Sequence, residues 1–382
     1  MEKCPVEKKC SGCQLQNMTY EEQLKFKQNL ASKYLSKFGN VNEIIGMYYP
    51  YHYRNKVQSY FITTRGGKII SGIYQSKTKG IAAVDSCLTE DKKADEIIVT
   101  VRELMKSLKL TVYDRAEDAG FLRHVLVRRA FKTGEIMVVL SSATPVFPKK
   151  NVFIKELLKA HPQITTIIQN IADDKTETLV LGEREIVLFG NGYIEDVLCG
   201  CRFRISSKSF YQINPVQTEV LYKKAIEFAE LTGNETVIDA YCGIGTLGII
   251  ASKKAKKVIS VELNNQAFKD AIVNSKLNNS KNVRFYNDDA TEFMSKMADE
   301  GMKADVLVMD PPRAGATKEF TESAVKLSPS RIVYVSCNPE TQERDLTWFT
   351  KNGYKVMKIQ PVDMFPHTKH VESVVLITRK DK

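Results

Sequence analysis

The chain has 382 residues, 43% hydrophobic and 26% charged, the profile of an ordinary folded protein long enough for two cores. No apolar run reaches the length of a membrane span, and Met1–Pro5 carries no signal-peptide core, so the expected setting is the cytoplasm, with no membrane partner. The net charge of +11 is spread over both halves with no basic tail, which suits a surface that meets a polyanion.

Eight cysteines in a reducing compartment point to metal or catalytic roles rather than disulfides. Cys4-x5-Cys10-x2-Cys13 lies in a leader (residues 1–16) too irregular for a helix or strand. Three thiolates this close can share one metal centre, and Cys87 in Val84-Asp85-Ser86-Cys87-Leu88 is the leading candidate for a fourth ligand. Four thiolates suit zinc or a 4Fe–4S cluster; a zinc ribbon usually shows two Cys-x2-Cys pairs, and one is present here. Thr19-x-x-Glu22 is a capping box, and Leu24, Leu30, Tyr34, Leu35 and Phe38 recur at helical spacing up to Gly39. Residues 17–39 are therefore expected as a helix, assigned to packing on the C-terminal domain.

From residue 40 to 205 the pattern predicts a β-rich central domain, interrupted by a helix near Asp91–Leu108. The expected strands include Val57–Ile62, then Arg123–Phe131 and Ile136–Leu140 joined by a turn at Thr133-Gly134. Ile164–Ile171 is expected to pair with Thr178–Leu181, and Glu185–Phe189 with Tyr193–Val197 across Gly190-Asn191-Gly192. Arg54, Lys56, Arg65, Arg123, His124, Arg128 and Arg129 interleave with Tyr51, Tyr53 and Phe121. That mixture would serve RNA phosphates and base stacking, about a third of it in direct contact, the rest being a solvated sheet face.

Residues 206–382 change texture. Asn214-Pro215 starts a helix with Asn as cap and Pro at the first position. Strands and helices then alternate: Thr236–Tyr241, Val258–Glu262, Val283–Asn287, Ala304–Met309 and Arg331–Val335 are linked through helices, which makes a parallel sheet. Tyr354–Pro361 and Val371–Thr378 lack a crossover helix and must pair antiparallel. This order resembles the seven-stranded, Rossmann-like class I methyltransferase fold, an α/β architecture.

Its strand ends carry the chemistry, because ligands in open α/β sheets bind beyond the carboxyl ends of the strands. The first gives Asp239-Ala240-Tyr241-Cys242-Gly243-Ile244-Gly245-Thr246-Leu247-Gly248. These glycines also satisfy the dinucleotide spacing, so a nicotinamide dinucleotide is a rival cofactor. Asp239 favours S-adenosylmethionine, since a carboxylate at the strand tip repels a pyrophosphate and suits a cationic ligand. Glu262 ends the second strand, where it can accept hydrogen bonds from ribose hydroxyls. Asp310-Pro311-Pro312-Arg313 ends the fourth as a rigid rim, with Asp310 able to bind a base edge. The fifth strand presents Cys337 in Ser336-Cys337-Asn338-Pro339. The last strand reaches this rim with its beginning, His370-Val371-Glu372, so topology makes Glu372 the carboxylate nearest the thiol; Asp363, His367 and His370 are alternatives.

Taken in order, Phe210-Tyr211-Gln212-Ile213-Asn214, Asp239–Gly245, Asp310–Arg313, Ser336–Pro339 and His370–Glu372 resemble the motifs of the S-adenosylmethionine-dependent RNA uracil-5-methyltransferases. The ribosomal-RNA members also carry a Cys-x5-Cys-x2-Cys plus a later Cys holding a 4Fe–4S cluster, here Cys4, Cys10, Cys13 and Cys87. Many members begin with a small β-barrel RNA-binding domain, which does not precede the cysteines in this sequence. The resemblance implies methyl transfer to C5 of a uridine in RNA, with 23S ribosomal RNA favoured over transfer RNA, by a monomer. It implies Cys337 as the nucleophile that adds to C6, Glu372 as the base that removes the C5 proton, and Asp310 orienting the uracil. Gln212, Tyr241, Thr246, Glu262, Asp289 and Asp310 are implied around the cofactor, with Gln212 also near the base. Two other classes stand beside this one: a nicotinamide-dependent dehydrogenase and a non-catalytic iron–sulfur RNA-binding protein.

Overall fold

The computed structural model describes residues 4–75, 80–172 and 181–380, and the chain divides into two units, each built on a seven-stranded sheet. No helix among the described residues is long and apolar enough to cross a membrane.

The first unit comprises Met1–Gln16, Pro50–Val197 and Ile205–Lys208. Its strands are β1 (Lys56–Thr63), β2 (Ile69–Tyr74), β3 (Ile81–Ala83), β4 (Leu122–Arg129), β5 (Ile136–Ser142), β6 (Ile164–Ile171) and β7 (Arg184–Phe189), in the order β3-β2-β1-β4-β5-β6-β7. Neighbours run antiparallel except β5 and β6, which are parallel and joined through α3 (Lys150–Ala160). The period-2 alternation of β1 turns Val57 and Phe61 into a core shared with Ile97 and Val101 of α2 (Lys92–Ser107) and with Phe153 and Leu157 of α3. Asp91 caps α2 by accepting from the N–H groups of Lys93 and Ala94.

This unit departs from expectation in three places. Helix α3 was not anticipated: the residue before it, Lys149, sits in the left-handed region at φ 55° and makes no side-chain cap, so the helix is held by packing rather than by a local signal. The expected hairpin of residues 185–197 does not form. β7 pairs with β6, because the Gly190–Gly192 turn docks on β6: Gly192 N–H donates to Thr166 Oγ1, and a Cβ on Gly190 would lie 2.1 Å from the Thr165 carbonyl oxygen. β8 (Tyr193–Leu198) instead joins β9 (Cys201–Ser206) in a two-stranded sheet, across Cys199 and Gly200, both at positive φ. The expected Thr178–Leu181 strand lies largely outside the described residues.

Third, the interleaved basic and aromatic set is not one solvated face. Tyr53, Phe121, Arg123, His124 and Arg128 are buried. Arg123 donates to the Ala172 carbonyl, Arg128 to the Ser207 carbonyl, and Arg129 pairs with Asp91 at 2.7 Å. Burial alone lowers Arg128 to about 10. Sequence alternation shows which residues share a sheet face, but not what covers that face.

The second unit comprises Asn17–Tyr49, Leu198–Arg204 and Ser209–Lys382. Its strands β10 (Thr236–Asp239), β11 (Lys257–Val261), β12 (Val283–Tyr286), β13 (Val306–Met309), β14 (Arg331–Ser336), β15 (Tyr354–Val362) and β16 (Glu372–Arg379) are ordered β12-β11-β10-β13-β14-β16-β15. The first five are parallel, and β16 is antiparallel to both β14 and β15, as the missing crossover required. α1 (Tyr20–Leu35) carries the complete Thr19–Glu22 capping box and packs on α9 (Pro339–Lys351) and β15. Residues 41–49, grouped above with the central domain, run along β15 instead, with bridges from Val41 to Ile359 and from Ile45 to Val362.

Candidate active site

The loop after β10 is fixed by its own geometry. Gly243 and Gly245 take φ values of 55° and 85°, and α5 (Thr246–Ser252) starts immediately afterwards. A Cβ on Gly248 would lie 2.5 Å from Ser260 Oγ and 2.9 Å from Asp239 Oδ2, so the third glycine is required for helix α5 to approach the sheet. Asp239 accepts from Gly248 N–H at 2.8 Å. Glu262 holds the loop from below, accepting from Gly243 N–H at 2.9 Å and Asn264 N–H at 2.7 Å.

Over this loop lies a cavity of about 40 Å³ lined by Gln212, Tyr222, Tyr241, Gly243, Thr246 and Asp310, among others, with no cationic side chain among the described residues of its wall. Burial pushes Asp239 up to about 7, with Asp310 and Glu262 adding repulsion against the Gly248 N–H. Burial likewise pushes Asp310 up to about 7. Carboxyl groups crowded into a low-dielectric site without a cation fit a positively charged ligand and oppose a pyrophosphate. The residues therefore suit a sulfonium- and ammonium-bearing cofactor.

Of the expected cofactor residues, the cavity wall brings together Gln212, Tyr241, Thr246 and Asp310. Glu262 reaches it through the Gly243 backbone. Asp289 caps α7 (Ala290–Asp299), accepting from Thr291 and Glu292 N–H, and its charge acts with burial to raise the Tyr241 hydroxyl. Tyr222 was missed. It lies on α4 (Pro215–Ala229), where Leu221, Tyr222 and Ala225 read as an apolar core stripe; its hydroxyl accepts from Thr246 Oγ1 at 3.4 Å and bonds Gln212.

The reactive side of the rim follows from strand register. Ser336 of β14 pairs with Ser373 of β16, which sets Cys337 beside Glu372 as β14 ends and β16 begins. Asn338 caps α9 and Pro339 fills its first turn, fixing the chain just past the thiol. Burial pushes Cys337 up to about 11; Glu372 and Asp310 push the same way, and Arg313 opposes them. Burial and then Asp310 raise Glu372 to about 8, again against Arg313. The thiol, Glu372 and Asp310 thus share one electrostatic environment. Of the alternative proton acceptors, Asp363 and His367 are tied to α1, while His370 lines a cavity with Cys337 and meets Arg313. Asp363 forms a fully buried ion pair with Lys27 at 2.5 Å and accepts from the Tyr20 hydroxyl, His367 Nδ1 meets Gln23, and His370 Nδ1 meets Arg313 at 3.3 Å.

In the first unit, Cys4, Cys10, Cys13 and Cys87 all line one cavity of about 30 Å³. Burial raises Cys13 to about 11 and Cys87 to about 12. Among the described residues, no group of three or more His, Cys, Asp or Glu side chains is placed to hold a single metal ion. The donor set, four thiols on one small cavity, is nevertheless of the type that takes an iron–sulfur cluster.

The chain belongs to the tRNA (uracil-5-)-methyltransferase family, whose model matches residues 19–380. It is 44% identical over 379 residues to an uncharacterised RNA methyltransferase of Clostridium tetani, covering 98% of this chain and 82% of that one. An uncharacterised RNA methyltransferase of Clostridium acetobutylicum is 44% identical over 386 residues, covering 99% and 84%. Among solved structures, a Pyrococcus abyssi tRNA (uracil-54, C5)-methyltransferase in complex with S-adenosyl-L-homocysteine is similar over 99% of this chain and 88% of its own, with 27% identity and a TM-score of 0.80. The protein is accordingly an S-adenosylmethionine-dependent RNA methyltransferase. Family membership sets aside the dehydrogenase and non-catalytic alternatives.

Proposed function

We propose that this enzyme methylates C5 of a uridine in 23S ribosomal RNA through a covalent adduct between Cys337 and uracil C6. The supporting observation is the grouping of Cys337, Glu372 and Asp310 next to a cavity suited to a cationic cofactor. S-adenosylmethionine, held by Gln212, Tyr241, Thr246, Glu262, Asp289 and Asp310, supplies an electrophilic methyl group. Uracil C5 is a weak nucleophile, and addition of the Cys337 thiolate to C6 makes it an enolate carbon able to accept that methyl. Asp310 orients the uracil edge, and Arg313 offsets the negative charge as the thiol ionises. Once C5 is methylated, Glu372 takes the C5 proton, the C6–S bond breaks and the thiolate is regenerated. The target base must be flipped out or already unpaired.

RNA carrying 5-fluorouridine tests this directly, because fluorine at C5 blocks the final elimination and leaves the adduct in place. The adduct is expected with the wild type and absent with Cys337→Ala; an adduct that survives the substitution refutes the assignment. The choice of 23S ribosomal RNA rests on the four-cysteine set, proposed to hold a 4Fe–4S cluster. Anaerobic reconstitution should load about four irons per chain with broad visible absorbance, lost in Cys87→Ser. Transfer RNA is the second reading, favoured by the substrate named for the Pyrococcus abyssi neighbour. Mapping 5-methyluridine in cells lacking the protein separates the two. RNA gripping is assigned to the β-rich first unit, and the enzyme to a monomer.

A further inference from the structure

Helix α1 presents two neighbouring stripes. Gln23, Lys27, Ala31 and Leu35 recur every four residues and are buried. Phe26, Leu30 and Tyr34 recur at the same interval alongside, and they line a cavity of about 260 Å³ that also contains Cys337. Phe26 remains 37% exposed, an uncommon placement for an aromatic ring on a helix whose neighbouring stripe is fully packed. The same cavity is lined by Arg313, Lys369 and His370.

The two sides of this cavity are tied together. Lys27 bonds Asp363 and the Phe365 carbonyl, and Gln23 bonds His367, so the buried stripe of α1 anchors the segment that supplies Lys369 and His370. An aromatic and aliphatic wall with two cations, Arg313 and Lys369, against one carboxylate, Glu340, matches a nucleotide: the base stacks on the rings and the phosphate meets the two cations. The target uracil is assigned to the Cys337 end of this cavity, beside Asp310 and Glu372, so the end walled by α1 is left for a neighbour in the strand.

We propose that this cavity binds the nucleotide adjacent to the target uridine, with its base against Phe26 and Tyr34 and its phosphate near Arg313, Lys369 and His370. The proposal rests on the uracil-5 reading above. It makes α1 a positioning element for the RNA rather than a purely structural helix.

The test uses the RNA segment around the uridine mapped in cells lacking the protein, prepared intact and with an abasic residue on either side of that uridine in turn. With the full-length wild type, one of the two abasic RNAs is expected to raise KM about tenfold or more while kcat stays within about twofold. Phe26→Ala should raise KM for the intact RNA by a similar factor and no longer distinguish it from that abasic RNA, whereas Phe26→Tyr should behave as the wild type. If neither abasic position changes KM, or if Phe26→Ala and the abasic loss multiply independently, the proposal is overturned. The 5-fluorouridine adduct is measured on the same wild-type preparation. Its absence would count against the uracil-5 chemistry, while its presence without coupling would remove only the subsite.

Discussion

Glu372→Gln should make the protein more stable in mild alkali while stopping its turnover. Glu372 is 4% exposed, and burial together with Asp310 lifts its carboxyl from 4.5 to about 8. Below about pH 4.5 folded and unfolded chains both carry the neutral acid, and the group has no effect on stability. Between about 4.5 and about 8 the unfolded chain ionises while the folded one stays protonated, so stability falls as pH rises; above about 8 the loss is complete. At about 1.4 kcal/mol per pH unit this interval sets a ceiling of about 5 kcal/mol. Because the repulsion is shared with Asp310, about 2 kcal/mol is the expected gain at pH 8.5. Urea denaturation of both proteins from pH 5 to 9 should give curves that meet near pH 5 and diverge up to about pH 8. A difference independent of pH, or a variant less stable than the wild type at pH 8.5, would refute the reasoning. In the same variant a methylated protein–RNA adduct should accumulate on gel electrophoresis, because the base proposed to remove the C5 proton is gone.

Other perturbations follow from single contacts. Gly248→Ala drives a methyl group into Ser260 and Asp239, so α5 must shift; a loss of about 1–3 kcal/mol is expected, with a smaller thermal shift from S-adenosylhomocysteine than the wild type shows. Lys27→Met leaves Asp363 charged and buried, costing about 3–5 kcal/mol in chemical denaturation, and Lys27→Met with Asp363→Leu should recover much of that loss. Asp239→Asn removes a buried charge that favours a cation. Calorimetry should show weaker S-adenosylhomocysteine binding, alongside a smaller fall in stability between pH 4 and 7.

Much of the catalytic unit was legible because its signals are local. The Thr19–Glu22 box, the Asn214-Pro215 start and the strand–helix alternation each depend on neighbours a few residues away, and all appear where expected. The first unit was less legible. Its β7 strand has no local preference between β6 and β8, and the choice was made by the tight approach of Gly190 to Thr165. Helix α3 has no cap to announce it. Tyr222 was hidden by its own periodicity, since a tyrosine in a core stripe looks the same whether its hydroxyl is idle or faces a site.

The sequence by itself determined which residues stand at the carboxyl rim of the second sheet, because parallel crossovers and one antiparallel reversal leave little freedom in where strands end. It placed Asp239, Glu262, Asp310, Cys337 and Glu372 there with no coordinates. Only the tertiary structure decided their chemical state. Burial, joined by repulsion from neighbouring carboxyl groups at Glu372 and Cys337, depends on everything packed around the site and raises Glu372 to about 8, Asp310 to about 7 and Cys337 to about 11. Tertiary packing also turned part of the basic central strands inward and brought one stripe of α1 to the reactive thiol, since a helix's periodicity shows that a face exists but not what it will meet.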